Sequence, residues 1–179
     1  SHHQVRVIFE DRQGAIWVGT GDPAKTEFKE GGLNRLDRKT RRFTHFKANP
    51  TDVHRLVNNA VRAIFEDSRG TLWIGTNGDG LHTLDRKNGQ FTRFPYDPAH
   101  PERLSRPYPK GAKVDAESSI TFIQEDRKGN IWIGAFSGGL LRYNLQTGQT
   151  TRFYAGQSGG IASDFLWASC LTNDGTMYF

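Results

Sequence analysis

Cysteine is almost missing from this 179-residue chain: Cys170 is the one thiol, so no intrachain disulfide can form. That is compatible with a reducing or an oxidising compartment and chooses neither. Methionine also occurs once, and the apolar runs are a few residues long, far short of a membrane-spanning helix or a signal peptide. No stretch sustains a helical period, which excludes helix bundles and strand–helix alternation. The six histidines, His2, His3, His45, His54, His82 and His100, have no metal-ligand spacing, and no phosphate loop is present. No metal or other cofactor is expected. His2 and His3 read equally as a tag remnant or as native linker.

What the chain does have is repetition. Val5-Arg-Val-Ile-Phe-Glu-Asp-Arg-Gln-Gly14-Ala-Ile-Trp17-Val-Gly-Thr20 returns as Val61-Arg-Ala-Ile-Phe-Glu-Asp-Ser-Arg-Gly70-Thr-Leu-Trp73-Ile-Gly-Thr76. A third copy is Ile120-Thr-Phe-Ile-Gln-Glu-Asp-Arg-Lys-Gly129-Asn-Ile-Trp132-Ile-Gly-Ala135, and a degenerate fourth runs from Leu166 to Phe179. Gly14, Gly70, Gly129 and Gly175 stand at intervals of 56, 59 and 46 residues. A second half-unit repeats as well: Gly31 to Phe46, Asp79 to Phe94 and Gly138 to Phe153.

Each unit offers four short strands rich in β-branched and aromatic residues, for example Val61–Glu66, Leu72–Thr76, Leu81–Asp85 and Phe91–Phe94. Asp11, Asp67 and Asp126 each open a tight turn that Gly14, Gly70 or Gly129 closes from a left-handed position. Four strands so joined form an antiparallel meander, and radial repetition of such meanders is a β-propeller. The predicted fold is all-β: about three and a half four-stranded antiparallel blades. Blade one covers residues 1–46, blade two 47–94, an inserted loop 95–119, blade three 120–153 and a partial blade four 154–179. That falls short of the roughly four to eight blades of a closed ring. The rest is expected from a longer parent chain or from a second copy of this one.

Trp17, Trp73 and Trp132 hold one repeat position and are expected to pack between blades. Gly19, Gly75 and Gly134, two residues on, leave room for the neighbouring blade. Cys170 falls in the inner-strand pattern of copy four and is expected to be a buried structural thiol. The recurring Glu-Asp pairs Glu10-Asp11, Glu66-Asp67 and Glu125-Asp126 read as turn scaffold, not as acid–base machinery. Gly156-Gln-Ser-Gly-Gly160 matches a nucleophile elbow in letters but lacks the following helix, and reads as a loop. Net charge +5 raises a nucleic-acid reading. The basic residues recur in turns beside carboxylates, so no nucleic-acid partner is expected.

Phrases such as Glu125-Asp-Arg-Lys-Gly-Asn-Ile-Trp-Ile-Gly134, followed by Gly138-Gly-Leu-Leu-Arg-Tyr-Asn144, resemble the two-component regulator propeller repeat. The resemblance implies a seven-bladed ring in the extracytoplasmic sensor of a bacterial histidine kinase, hybrid two-component system or diguanylate cyclase. On that reading the chain is not itself an enzyme, makes no direct membrane contact, and works on the periplasmic side by binding an oligosaccharide. The fourth copy departs from the pattern, with Thr172 for the turn Asp and Tyr178 for the Trp.

The irregularities of the repeat point to a site. Copy one has a longer loop between strands two and three, at residues 21–31, and the segment after copy two, residues 95–118, is also extended. In a meander both connections emerge on one face, where binding loops accumulate. They offer Lys25, Phe28, Lys29, Tyr96, Arg106, Tyr108 and Lys110, and Arg6 and Arg62 begin inner strands on the same face. Cations with aromatic platforms suit an acidic glycan, a peptide or a partner protein; the resemblance favours the glycan. Alternatives are a propeller lyase or lactonase, which needs a channel-facing His or carboxylate, and a structural or protein-interaction propeller.

Overall fold

The computed structural model describes residues 4–22, 30–78, 80–107 and 119–179. Three four-stranded antiparallel sheets form, each in sequential strand order. Sheet one comprises β1 (Val5–Glu10), β2 (Ile16–Thr20), β3 (Gly32–Asp37) and β4 (Arg42–Phe46). Sheet two comprises β5 (Val61–Glu66), β6 (Leu72–Thr76), β7 (Leu81–Asp85) and β8 (Gln90–Arg93), its last strand one residue earlier than the sequence pattern suggests. Sheet three comprises β9 (Ser119–Glu125), β10 (Asn130–Phe136), β11 (Gly139–Asn144) and β12 (Thr150–Phe153). A two-stranded fourth sheet pairs β13 (Cys170–Leu171) with β14 (Met177–Tyr178). Among the described residues there is no helix.

The core lies between sheets. Trp17 and Leu33 of sheet one pack with Val61, Ile64, Leu72 and Ile74 of sheet two. Ala63, Trp73 and Leu81 on the other side of sheet two pack with Ile120, Ile123, Ile131 and Ile133 of sheet three. Every residue of β6 is therefore buried, Leu72 and Ile74 against one neighbour and Trp73 against the other. A strand covered on both faces cannot alternate polar and apolar residues, which is why Leu-Trp-Ile-Gly-Thr reads as a continuous apolar run. The first sheet lacks such cover on one side: Ile8 is 67% exposed, whereas its equivalents Ile64 and Ile123 are each at 6%.

The turn chemistry recurs in detail. Gly14, Gly70 and Gly129 have φ of 78°, 83° and 75°, so each closes its turn in the left-handed region. Asp67 Oδ1 accepts from the Arg69 and Thr71 N–H groups, and its Oδ2 accepts from Trp73 Nε1 at 2.8 Å. The same indole bond, also 2.8 Å, joins Trp17 to Asp11 and Trp132 to Asp126. Thus each Asp ties its turn to the residue that fills the space between blades. Burial works against the Asp11 charge, but the donors of Trp17, Ala15, Gln13 and Arg86 outweigh it and hold this carboxyl below the usual range.

Two sequence expectations need correction at the last junction. Trp17 and Trp73 are 1% and 3% exposed, but Trp132 is only half-buried, because the short fourth sheet covers it incompletely, through Phe179. Cys170 is exposed, not buried: its sheet has two strands, and among the described residues nothing packs over the thiol.

The glycine at the blade interface is explained by close approach. A Cβ on Gly75 would lie 2.5 Å from Ile120 Cγ2 of the next blade, and one on Gly19 would lie 2.7 Å from Val61 Cγ1. At Gly134 the space is filled by Phe122 of its own sheet instead. Ile120 is fully buried and has nowhere to move. Gly75→Ala is therefore expected to destabilise the protein by about 1–3 kcal/mol through overpacking. Guanidinium denaturation showing an unchanged midpoint would remove this account of the glycine.

Candidate functional site

The inner strand of each complete sheet contains one extra residue. The pairing of β1 with β2 skips between Val5 and Val7, that of β5 with β6 between Val61 and Ala63, and that of β9 with β10 at the same point. The residues left over are Arg6, Arg62 and Thr121, one repeat position seen three times. A β-bulge re-aims the side chain it carries and is common beside binding sites. Trp167 holds the corresponding position of copy four.

These positions open on the face that carries the long connections. Gly32 N–H donates to the Asn59 carbonyl at 2.7 Å, and Arg106 Nη1 donates to the Gly78 carbonyl at 2.6 Å, so two-to-three loops lie beside four-to-one linkers. On the opposite face, Arg86 bridges Asp11 at 3.1 Å and Glu66 at 2.6 Å and also caps the Gly70 carbonyl, gathering the tight turns of two blades.

Arg6 donates to the Gly21 carbonyl and to Gln4, and Arg62 donates to Ser119 Oγ of the next blade at 3.1 Å. Among the described residues no carboxylate pairs with either. Burial first, and then the charge of Arg6, lowers the pKa of Arg62. Two adjacent arginines without a counter-ion form a region of positive potential suited to an anion.

Further round, where the fourth copy meets sheet three, stands an aromatic group that the sequence reading missed. Phe136, at the end of β10, meets Phe165 edge-on at 5.3 Å and Trp167 at 4.8 Å between ring centroids. Phe165 is 55% and Trp167 67% exposed, and both line a depression of about 480 Å³ with Ile161, Ser163 and Phe179. The available signal was Trp167 itself, which stands in the repeat position of Arg6 and Arg62.

The remaining expected site residues divide into two groups. Lys25, Phe28, Lys29, Tyr108 and Lys110 lie outside the described residues. Of the others, Tyr96 is half-buried and within electrostatic reach of Tyr154, whose pKa is raised mainly by burial. Arg106 is fully buried, holding the Gly78 carbonyl, and belongs to the scaffold beneath the loops.

Two further cations are explained by structure. Arg93 donates to the carbonyls of Asn49, Pro50, Asp52, Arg55 and Leu56, clamping the linker that leads into its own blade. Arg152 does the same for blade three, on the carbonyls of Pro101, Arg103 and Arg106 and on the Ser105 hydroxyl.

Comparison with known proteins agrees with the fold. No curated protein matches the sequence. Among solved structures, the extracellular domain of BT3049, described as a hybrid two-component system of B. thetaiotaomicron, superposes with a TM-score of 0.75 at 22% identity, covering 99% of this chain and 22% of that one. The extracellular domain of BT4673 from the same organism gives 0.67 at 18%, covering 97% and 20%. A streptogramin B lyase gives 0.60 at 17%, covering 98% and 47%. This chain thus spans about a fifth of the two sensor domains, and at these identities the likeness establishes the propeller fold alone. Among the described residues no helix is long and apolar enough to cross a membrane. Residues 1–22, 55–78 and 116–137 match the family model described as the two-component regulator propeller, and these three segments are copies of that repeat, as the sequence resemblance implies.

Proposed function

We propose that this chain is a ligand-sensing propeller segment of an extracytoplasmic bacterial sensor, and that it binds an oligosaccharide bearing an acidic group. The parent protein, on this reading, passes the signal to a histidine kinase domain across the membrane. The observation that carries the proposal is the pair of bulge arginines, Arg6 and Arg62, together with the exposed aromatic group of Phe136, Phe165 and Trp167, the last at the same repeat position of copy four. Aromatic faces pack against sugar rings, and the guanidinium groups receive the anion. The family match supports a sensing, non-enzymatic role, as does the naming of similar structures as extracellular domains of two-component systems. The bare face of sheet one, where Ile8 is exposed, fits further blades of a longer chain. A lyase reading gains nothing from the inner strands, whose bulge positions carry Arg6, Arg62 and Thr121.

Calorimetric titration with matched uronate-containing and neutral oligosaccharides tests this. The acidic series is expected to bind, and Arg62→Gln should weaken it tenfold or more while leaving the thermal melt unchanged. Equal binding of the two series, or an Arg62→Gln protein that binds like wild type, would defeat the proposal.

A further inference from the structure

The two bulge arginines are not equivalent, and the difference bears on how an anion is received. Arg62 Nη1 donates to Ser119 Oγ of blade three at 3.1 Å. Its Nε and Nη2, which form one side edge of the guanidinium, meet no acceptor among the described residues. Arg6 has the opposite arrangement. Its Nε donates to the Gly21 carbonyl at 3.2 Å and its Nη2 to Gln4 Oε1 at 2.7 Å, so protein acceptors engage both atoms of that edge.

The hydroxyl that makes this difference is not required by the fold. Ser119 opens β9 at the repeat position that Ala60 holds just before β5, and both residues are buried. Ala60 has no side-chain acceptor to offer Arg6, which turns to its own blade instead. Ser119 is also fixed from two sides: its backbone bridges Asn77 of blade two and pairs with Phe136 in its own sheet. A hydroxyl held in this way cannot follow the guanidinium if it rotates, so it favours one orientation of the side chain. Arg62 is half-buried and Arg6 exposed, so water screens a contact to Arg62 less.

We propose that Ser119 is a positioning residue for Arg62, an inference that rests on the reading of Arg62 as part of the ligand site. The Ser119 hydroxyl holds Nη1 and leaves the Nε–Nη2 edge to grip both oxygens of one ligand carboxylate. Arg6 adds charge to the same face without such a grip. Two parallel N–H···O bonds to one carboxylate are stronger and more directional than a point-charge contact, and lysine cannot make them.

Nitrogen–proton spectra of the arginine Nε groups test this directly, with acetate as a carboxylate probe free of sugar, titrated at constant ionic strength against chloride. The two signals are assigned by their loss in Arg62→Lys and Arg6→Lys. Acetate is expected to shift the Arg62 signal far more than that of Arg6. Ser119→Ala, the residue that blade two carries at this position, should weaken the Arg62 response about fivefold. Equal shifts of the two signals, or a wild-type response in Ser119→Ala, overturn the proposal. Should Ser119→Ala not fold, the comparison of the two wild-type signals still decides. Calorimetry with trigalacturonate separates this inference from the oligosaccharide reading. If Arg62 answers acetate as expected and trigalacturonate does not bind, the carboxylate grip stands and the oligosaccharide reading falls. If it binds, Arg62→Lys is expected to weaken it about tenfold, and by more than Arg6→Lys does; equal losses would overturn the grip.

Discussion

Replacing Trp73 with alanine is expected to lower the unfolding free energy by about 3–5 kcal/mol. The indole is 3% exposed, stacks on Phe94 at 6.1 Å and meets Tyr143 of the next blade at 6.2 Å between ring centroids. Its loss opens a cavity at a blade junction and removes a donor from Asp67, which is completely buried. A carboxylate short of a donor in that setting adds to the cavity cost. Trp73→Phe separates the two contributions, since it keeps most of the volume and loses only the bond. Trp132→Ala should cost less, because that ring is already half in solvent. Denaturant melts followed by circular dichroism decide the matter: an unchanged midpoint for Trp73→Ala, or an equal loss for Trp132→Ala, would show that the junction does not depend on this residue.

Acid is expected to loosen blade two before the carboxyls of Asp11 and Asp126 respond. His82 is fully buried, and its Nε2 accepts the Val57 N–H at 3.2 Å, so the ring is neutral with its proton on Nδ1, toward the Ile74 and Gly80 carbonyls but without a hydrogen bond to either. Burial, followed by the nearby charge of Arg93, pushes its pKa down to about 4 from 6.5. The unfolded chain takes up this proton near pH 6.5 and the folded chain only near 4. Between those values the unfolded state binds more protons, and stability falls as the pH drops, by up to about 3 kcal/mol at the acid end of the window. The carboxyls of Asp11 and Asp126 are held below their usual range and contribute to acid sensitivity only at lower pH. Blade one uses Asn34 at the same repeat position, donating to the Val18 and Gly32 carbonyls, the counterparts of those His82 faces. His82→Asn should therefore flatten the stability profile between pH 6.5 and 4. Parallel decline of wild type and variant would locate the sensitivity elsewhere.

The contrast between Asn34 and His82 also shows what the sequence can disclose. Repeat spacing, strand patterning and the Asp-x-x-Gly turns determine the propeller, because each rests on local backbone chemistry that every copy restates. The Asp–Trp bond was not legible, since its two partners stand six residues apart and each has a sufficient local reading, as turn former and as packing residue. Thr92-Arg93-Phe94 and Thr151-Arg152-Phe153 recur visibly, but their targets are carbonyls of linkers that differ in length and sequence. Arg106 reads as a loop cation, and only its burial against the Gly78 carbonyl shows it to be interior. Cys170 carries the letters of an inner strand, yet burial depends on a neighbouring sheet that residue patterns do not describe. Arg6 and Arg62 were found from their place at the start of the inner strands. Their bulge was not, because an unpaired residue is defined by register with β2 and β6.

The clamp made by Arg93 has a consequence for the order in which the chain is synthesised. The linker at residues 49–56 leaves the ribosome well before Arg93, the residue that gathers its carbonyls. The entry to a blade is therefore made first and fastened last. Arg152 repeats that sequence of events for residues 101–106. A nascent chain that has completed three strands of a blade still has a loose approach to the first of them, and the fourth strand brings both the outer edge and the fastening. In blades two and three the entry linker is thus fastened by the blade's own last strand and not by the blade that follows.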